Sequence, residues 1–139
     1  MLFRSRLDTG GYRDGSVLVA GYGVAGKAVV DALDSHDTTH TVLDIEAKAG
    51  VDVVGSATDP ETLREGGVTD ARTAILTLAD DTATIYATLI IRELNPDIEI
   101  IVRANETENV RKLYRAGADY VLALSTVSAR MLEIGRAHV

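Results

Sequence analysis

The stretch VLVAGYGVAGKAVVDAL, residues 17–33, constrains the fold more than any other part of the chain. An apolar, β-rich run ends in Gly21-x-Gly23-x-x-Gly26 and passes directly into a helical pattern, with apolar or small side chains at 25, 28, 29, 32 and 33. Strand, glycine turn and helix together open a βαβ unit, and each glycine has its own job there. Gly21 permits the sharp turn after the strand. Gly23 removes a side chain where backbone would approach a pyrophosphate, and Gly26 lets the helix pack closely on the sheet. A helix starting near Val24 would aim its free N–H groups and positive dipole end at the phosphates. From Gly21 to Lys27 the same residues also spell G-x-x-x-x-G-K, most of the phosphate loop of a nucleoside triphosphatase. Ala28 follows Lys27, however, and offers no hydroxyl to Mg²⁺, so that pattern is incomplete. AILTLADD has the look of the companion strand with its acid at Asp80, but a buried strand entering a helix N-cap reads the same way.

Further along, β-rich runs at 16–20, 41–44, 51–54, 73–78, 99–103 and 120–122 alternate with helical patterns. Asp59 as N-cap, Pro60 at the first position, and Gly66 and Gly67 as the stop punctuate one helix. Residues 82–95 predict another, with Ile85, Leu89, Ile90 and Leu94 inward and Asn95-Pro96 closing it. Asn105 and Glu108 stand in capping-box spacing before a helix expected to bury Val110, Leu113 and Tyr114 and to stop at Gly117. A last helix would start at Ser125. Each parallel crossover needs a covering helix, so this alternation predicts an α/β fold. The expected architecture is a Rossmann-like, doubly wound, parallel six-stranded sheet of order 3-2-1-4-5-6 in a single domain over 16–132. Residues 1–15 read as a leader or linker. The final EIGRAHV, 133–139, back-translates to the start of a common sequencing-library adapter and reads as a non-native tail.

Composition narrows the function. At 139 residues the chain suits one domain, and it lacks cysteine, which removes disulfides, thiolate catalysis and thiolate metal sites. A net charge of −7 argues against nucleic acid, whose phosphate backbone calls for a basic footprint. Acid is mostly Asp (13 against 8 Glu) and base mostly Arg (11 against 3 Lys), which fits a salt-adapted cytosol as well as a moderately acidic mesophilic protein. No apolar run approaches the roughly 20 residues of a bilayer span, and the start lacks a signal peptide's apolar core, so the cytoplasm is the expected compartment.

The expected partner of the glycine turn is Asp44, at the end of the second strand and 18 residues after Gly26. A carboxylate there accepts hydrogen bonds from the adenosine ribose and repels a 2′-phosphate, favouring NAD over NADP. Glu46 is a weaker spare. A catalytic set is harder to find. None of the tyrosines at 12, 22, 86, 114 and 120 has Lys four residues later, as a short-chain dehydrogenase requires. His36 and His40 flank the loop before the second strand, away from the strand C-termini where ligands bind, and no G-x-S-x-G elbow occurs. A nucleotide site without catalytic residues suggests a sensor. The competing reading is a fragment of an NAD-dependent oxidoreductase whose catalytic domain is missing.

VLVAGYGVAGKAVVDAL, VLDIE, VVGSATDPETLREGGVTDARTAILTLADD and IIVRANETENVRKLYRAGADYVL together resemble the RCK domain, the regulator of potassium conductance, also called the TrkA N-terminal domain. The Gly-Ser-Ala-Thr after the third strand and Arg-Ala-Gly-Ala-Asp before the sixth separate it from generic Rossmann domains. The resemblance implies a non-enzymatic domain that binds NAD(H), or ATP and ADP, and biases a membrane potassium channel or transporter, on the same chain or a separate subunit. It implies paired domains assembling into a homo-oligomeric ring at the inner face of the membrane. Carried over, Gly21, Tyr22, Gly23, Val24, Ala25 and Gly26 form the phosphate turn, with Asp44 and Ile45 at the ribose. Ser56, Ala57 and Thr58 come beside the adenine, Leu78 and Ala79 line the cleft, and Arg103 lies near the phosphates. Many members carry Asp or Asn where this chain has Ser56. Some ATP-responsive members have Arg at Val24, and some have Pro-Glu at Leu124-Ser125; these last two departures lean toward NAD(H).

Overall fold

The computed structural model describes residues 15–123. Residues 1–14 of the expected leader, the helix expected from Ser125 and the expected non-native tail therefore lie outside the described residues. Six strands form one sheet: β1 Val17–Ala20, β2 His40–Asp44, β3 Val53–Val54, β4 Thr73–Leu76, β5 Glu99–Ala104 and β6 Tyr120–Ala123. Every neighbouring pair is parallel. Their order across the sheet is β3-β2-β1-β4-β5-β6, the order the alternation predicted. Helices α1 Val24–Ser35, α2 Pro60–Glu65, α3 Asp81–Leu94 and α4 Val110–Ala116 supply four of the five crossovers. The β2–β3 connection, residues 45–52, has no helix and turns through Gly50 at φ +95°.

Strand β1 is buried at every position, as a central parallel strand must be when helices cover both faces. Its alternate side chains feed two cores of unequal size. Leu18 and Ala20 join Leu43, Leu76, Ile100 and Val102 under Leu63 of α2, Ile91 of α3 and Leu113 of α4. On the other face, Val17 and Val19 join Val42 under Val30 of α1 alone.

Several helix details differ from expectation, each for a local reason. On α1, Gly26 and Val30 are the buried positions, Ala25, Val29 and Leu33 are half-buried, and Ala28 and Ala32 are exposed. The contact line runs through Gly26, where the helix packs against the Gly21 carbonyl of the turn below it. On α3, Leu89 is 47% exposed, whereas Thr84, Ala87, Thr88 and Ile91 are buried. The two threonines bury because their hydroxyls donate within the helix, Thr84 Oγ1 to Asp80 O at 3.1 Å and Thr88 Oγ1 to Thr84 O at 2.7 Å. The stripe 84/87/88/91 is a regular helical face once these threonines count as core residues.

The cap expected from Asn105 does not form. A 3₁₀ turn at Thr107–Asn109 precedes α4, and the Asn105 amide donates to carbonyls of the β4–α3 connection instead. Tyr114 is exposed rather than buried, its hydroxyl accepting from Val121 N–H of β6 at 3.2 Å. By contrast Asp59 caps α2 by accepting from Glu61 N–H, and Asp80 caps α3 by accepting from Thr82 N–H. That capping bond accounts for the acid at the end of AILTLADD.

Candidate functional site

At the C-terminal ends of the strands, where the order reverses between β1 and β4, lies a cleft of about 430 Å³. This reversal point is where open α/β sheets bind ligands. Its floor is the β1–α1 turn. Gly21 adopts φ +103°, a left-handed conformation costly for any residue with a Cβ, and its N–H donates to Leu43 O at 2.8 Å. A Cβ at Gly26 would run into Gly21 O and come within 2.8 Å of Gly21 C, so helix and turn touch without a side chain between them. Gly23 is different: nothing lies within 4 Å of where its Cβ would stand. Open space at a residue lining the cleft is what a close-lying ligand group requires. The first intrahelical bond runs from Lys27 N–H to Gly23 O at 2.9 Å, leaving the amides of Val24, Ala25 and Gly26 without helical acceptors.

Asp44 ends β2 and orients both the turn and its own loop. Its Oδ1 accepts from Tyr22 N–H at 2.9 Å and its Oδ2 from Glu46 N–H at 3.0 Å, while Lys48 Nζ lies 4.0 Å from Oδ2. Carboxylate oxygens have lone pairs to spare beyond these bonds, so a fixed Asp44 can still accept from a diol. Tyr22 reaches sideways over Gly50, where an added Cβ would meet its hydroxyl at 2.6 Å. The Lys27 and Lys48 ammonium groups stand 5.7 and 6.0 Å from its ring centroid. Val24 and Ile45, 91% and 73% exposed, are apolar members of the cleft lining.

The other walls come from the β3–α2 and β4–α3 connections. Ser56 Oγ and Thr58 Oγ1 are 2.7 Å apart, and Thr58 N–H donates to Ser56 Oγ at 3.1 Å, closing a rigid Ser-Ala-Thr turn. Leu78 O accepts from Arg103 Nη2 and from Asn105 Nδ2, each at 3.1 Å. Arg103 Nε is buried without a hydrogen-bond partner. A buried unpaired donor costs about 1–3 kcal/mol, so this guanidinium gains by meeting an anion.

All the residues the sequence singled out for this site line the cleft except Gly26, which supports the turn from behind. Lys48, Gly55, Thr77, Asp80 and Ala83 also line it and were not foreseen. Thr77 pins the glycine turn to the sheet, its Oγ1 donating to Gly21 O at 3.1 Å. A lone hydroxyl in the apolar run AILTL was the available signal. His40 lies at the other end of β2, with Nδ1 2.9 Å from Thr38 O and Nε2 3.6 Å from Asp34. Among the described residues, no group of three or more His, Cys, Asp or Glu could hold a metal ion. None of the described helices is long and apolar enough to cross a membrane. The geometry offers a place for an anionic group on the turn and a hydroxyl-bearing group on Asp44.

Comparison with known proteins gives this geometry a context. The profile of the TrkA-N domain matches residues 17–124. A probable potassium channel protein 2 of Methanocaldococcus jannaschii is 31% identical over 129 residues, covering 84% of this chain and 38% of that protein. A structure of the GsuK channel bound to NAD superposes with a TM-score of 0.80 at 34% identity, covering 90% of this chain and 24% of that one. A structure of GsuK bound to ADP gives 0.78 at 35% identity, covering 86% and 33%. In each case the chain spans well under half the length of the protein it matches.

Proposed function

Because this chain belongs to the TrkA-N domain family, we propose that its cleft binds NAD(H), or ATP or ADP, and that occupancy regulates potassium movement through a membrane channel or transporter. The observation that carries this reading is the cleft at the strand-order reversal. There an open Gly23 and an amide-bearing helix start face a carboxylate, Asp44, held by two backbone N–H groups. The turn would hold the phosphates with the help of Arg103, and Asp44 the ribose hydroxyls. The Ser56–Thr58 turn would flank the adenine, with Val24 and Ile45 as apolar contacts. NAD and ADP in the GsuK structures support that chemistry.

The role is sensing rather than turnover. A ligand shifts a conformational equilibrium only through contacts that differ between two arrangements. The glycine turn and Arg103 line the cleft from separate elements, the β1–α1 connection and β5, so a ligand bridging them favours the arrangement that draws the two together. Exposed Tyr86 and Leu89 on the outer face of α3 offer a surface for pairing with a second copy, through which closure would be passed to a ring beneath the pore. Such a ring would stand at the inner face of the membrane.

Calorimetric titration of this chain with NAD, NADH, ATP and ADP tests the reading. Saturable 1:1 binding, without absorbance change at the nicotinamide band when candidate alcohols or acids are added, is expected. Hydride turnover would make the domain an oxidoreductase piece, and no binding of any of the four would remove the nucleotide assignment.

A further inference from the structure

Outside the cleft lining, Asp81 in the first turn of α3 carries an unusual set of bonds for a buried acid. It is 6% exposed. Its carboxylate accepts from Asn105 N–H at 2.8 Å, Glu106 N–H at 2.9 Å, Asn105 Nδ2 at 2.8 Å and Asn109 Nδ2 at 2.9 Å. Burial by itself would push the carboxyl pKa up; these bonds outweigh it and hold the group below the usual aspartate value, as a buried anion. Asp80 already caps the helix, so capping does not account for this second acid.

The bonds join two loops that meet only at the ligand-binding edge of the sheet. Asn105 Nδ2, fixed by Asp81, also lies 3.1 Å from both Leu78 O and Ala79 O, the wall of the cleft. Leu78 O in turn accepts from Arg103 Nη2. The backbone two residues beyond Arg103 is tied to the same carboxylate through Asn105 N–H. Arg103 is thus held from both ends, through its guanidinium and through the chain that follows it, while its Nε has no partner.

Resting on the nucleotide reading above, we infer that Asp81 is a positioning residue for the anion end of the cleft: it never touches the ligand but sets where Arg103 and the Leu78–Ala79 wall stand. An amide at 81 would turn one acceptor into a donor among groups that are themselves donors, leaving buried N–H groups unpaired. The wall and Arg103 would drift apart, and the loss would fall on phosphate-bearing ligands. A general loosening of the fold would instead weaken all ligands alike.

The test compares ADP with adenosine by calorimetry on wild type, Asp81→Asn, Arg103→Ala and the double variant. Asp81→Asn is expected to weaken ADP by about tenfold or more while adenosine changes by less than about twofold. The double variant should lose little beyond Arg103→Ala, because both changes remove one interaction. The Arg103 Nε–H resonance should also move in ligand-free Asp81→Asn. Equal losses for ADP and adenosine, or losses that add across the double variant, overturn the inference. If Asp81→Asn does not fold, Asn105→Ala, which keeps the backbone bonds to Asp81, bears the same expectation. Should wild type bind neither probe, NAD takes the place of ADP in the comparison. Should NAD fail to bind as well, the nucleotide assignment falls, and the resonance then decides whether Asp81 positions Arg103, an unmoved signal rejecting it.

Discussion

The three glycines of the fingerprint are separable by single substitutions to alanine, because each meets different surroundings. Gly23 has φ −85°, ordinary for any residue, and an empty sphere of 4 Å around the missing Cβ. Alanine there restricts the unfolded chain, a gain of about 0.4–1 kcal/mol. It also loses the preference of an N-cap for glycine over alanine, about 0.5–1 kcal/mol. The two nearly cancel, so Gly23→Ala should leave Tm within about 4 °C of wild type. Gly26→Ala gains about 1 kcal/mol of helix propensity. It meets the Gly21 carbonyl, however, and has Thr77 Oγ1 at 3.2 Å. Backbone gives way less easily than a side chain, so the upper end of the range of about 1–3 kcal/mol for overpacking applies, for a net loss of about 2 kcal/mol. Binding should follow a different order. On the proposed reading a methyl at 23 occupies space that phosphate oxygens would take, and it should weaken NAD and ADP by about tenfold or more, equivalent to about 1.4 kcal/mol. Thermal unfolding paired with titration reads both effects. Gly23→Ala with normal stability and undiminished affinity would refute the placement of a pyrophosphate on this turn. Instability matching Gly26→Ala would refute the packing argument itself.

Asp44→Ala should weaken NAD by about tenfold or more, with a small loss of stability, since Tyr22 N–H and Glu46 N–H can turn to water; titration and thermal melts measure the two. On α3, Ile91→Ala should cost about 2–5 kcal/mol and Leu89→Ala under about 1 kcal/mol, read by urea unfolding. Acid unfolding should depend on Asp81. Its folded-state pKa is depressed, so its contribution is complete above the unfolded aspartate pKa and is lost as pH falls through the folded value. Stability measured against pH should therefore decline in that acidic window, and the decline should flatten in Asp81→Asn.

Much of this architecture was legible because it rests on local chemistry. Asp59-Pro60 and Asp80 cap their helices by bonds spanning two residues, and the glycine turn needs only the strand before it and the helix after it. What the sequence hid depends on partners far along the chain. Asp81 and Asn105 are separated by 24 positions, and nothing near Asn105 signals that a buried carboxylate outbids the local cap. Thr84 and Thr88 escaped notice because hydropathy counts threonine as polar, although a hydroxyl bonded to its own helix buries like a methyl. Tyr22 and Lys48 meet only because the β2–β3 connection folds back over Gly50 without a helix.

The unequal layers on the two faces of the sheet bear on how this domain could report a bound molecule. Helices α2, α3 and α4 share one extensive core, whereas among the described residues α1 rests on a small patch of valines. The phosphate turn belongs to that thinner layer. Its resistance to local opening comes from few apolar contacts, so amide exchange there should be quicker than beneath α3. A molecule that cross-links the turn and the other walls supplies the weak layer with the rigidity its own packing leaves out. Ligand arrival would then register as a stiffening confined to one side of the sheet, a mechanical asymmetry built into the packing of the domain.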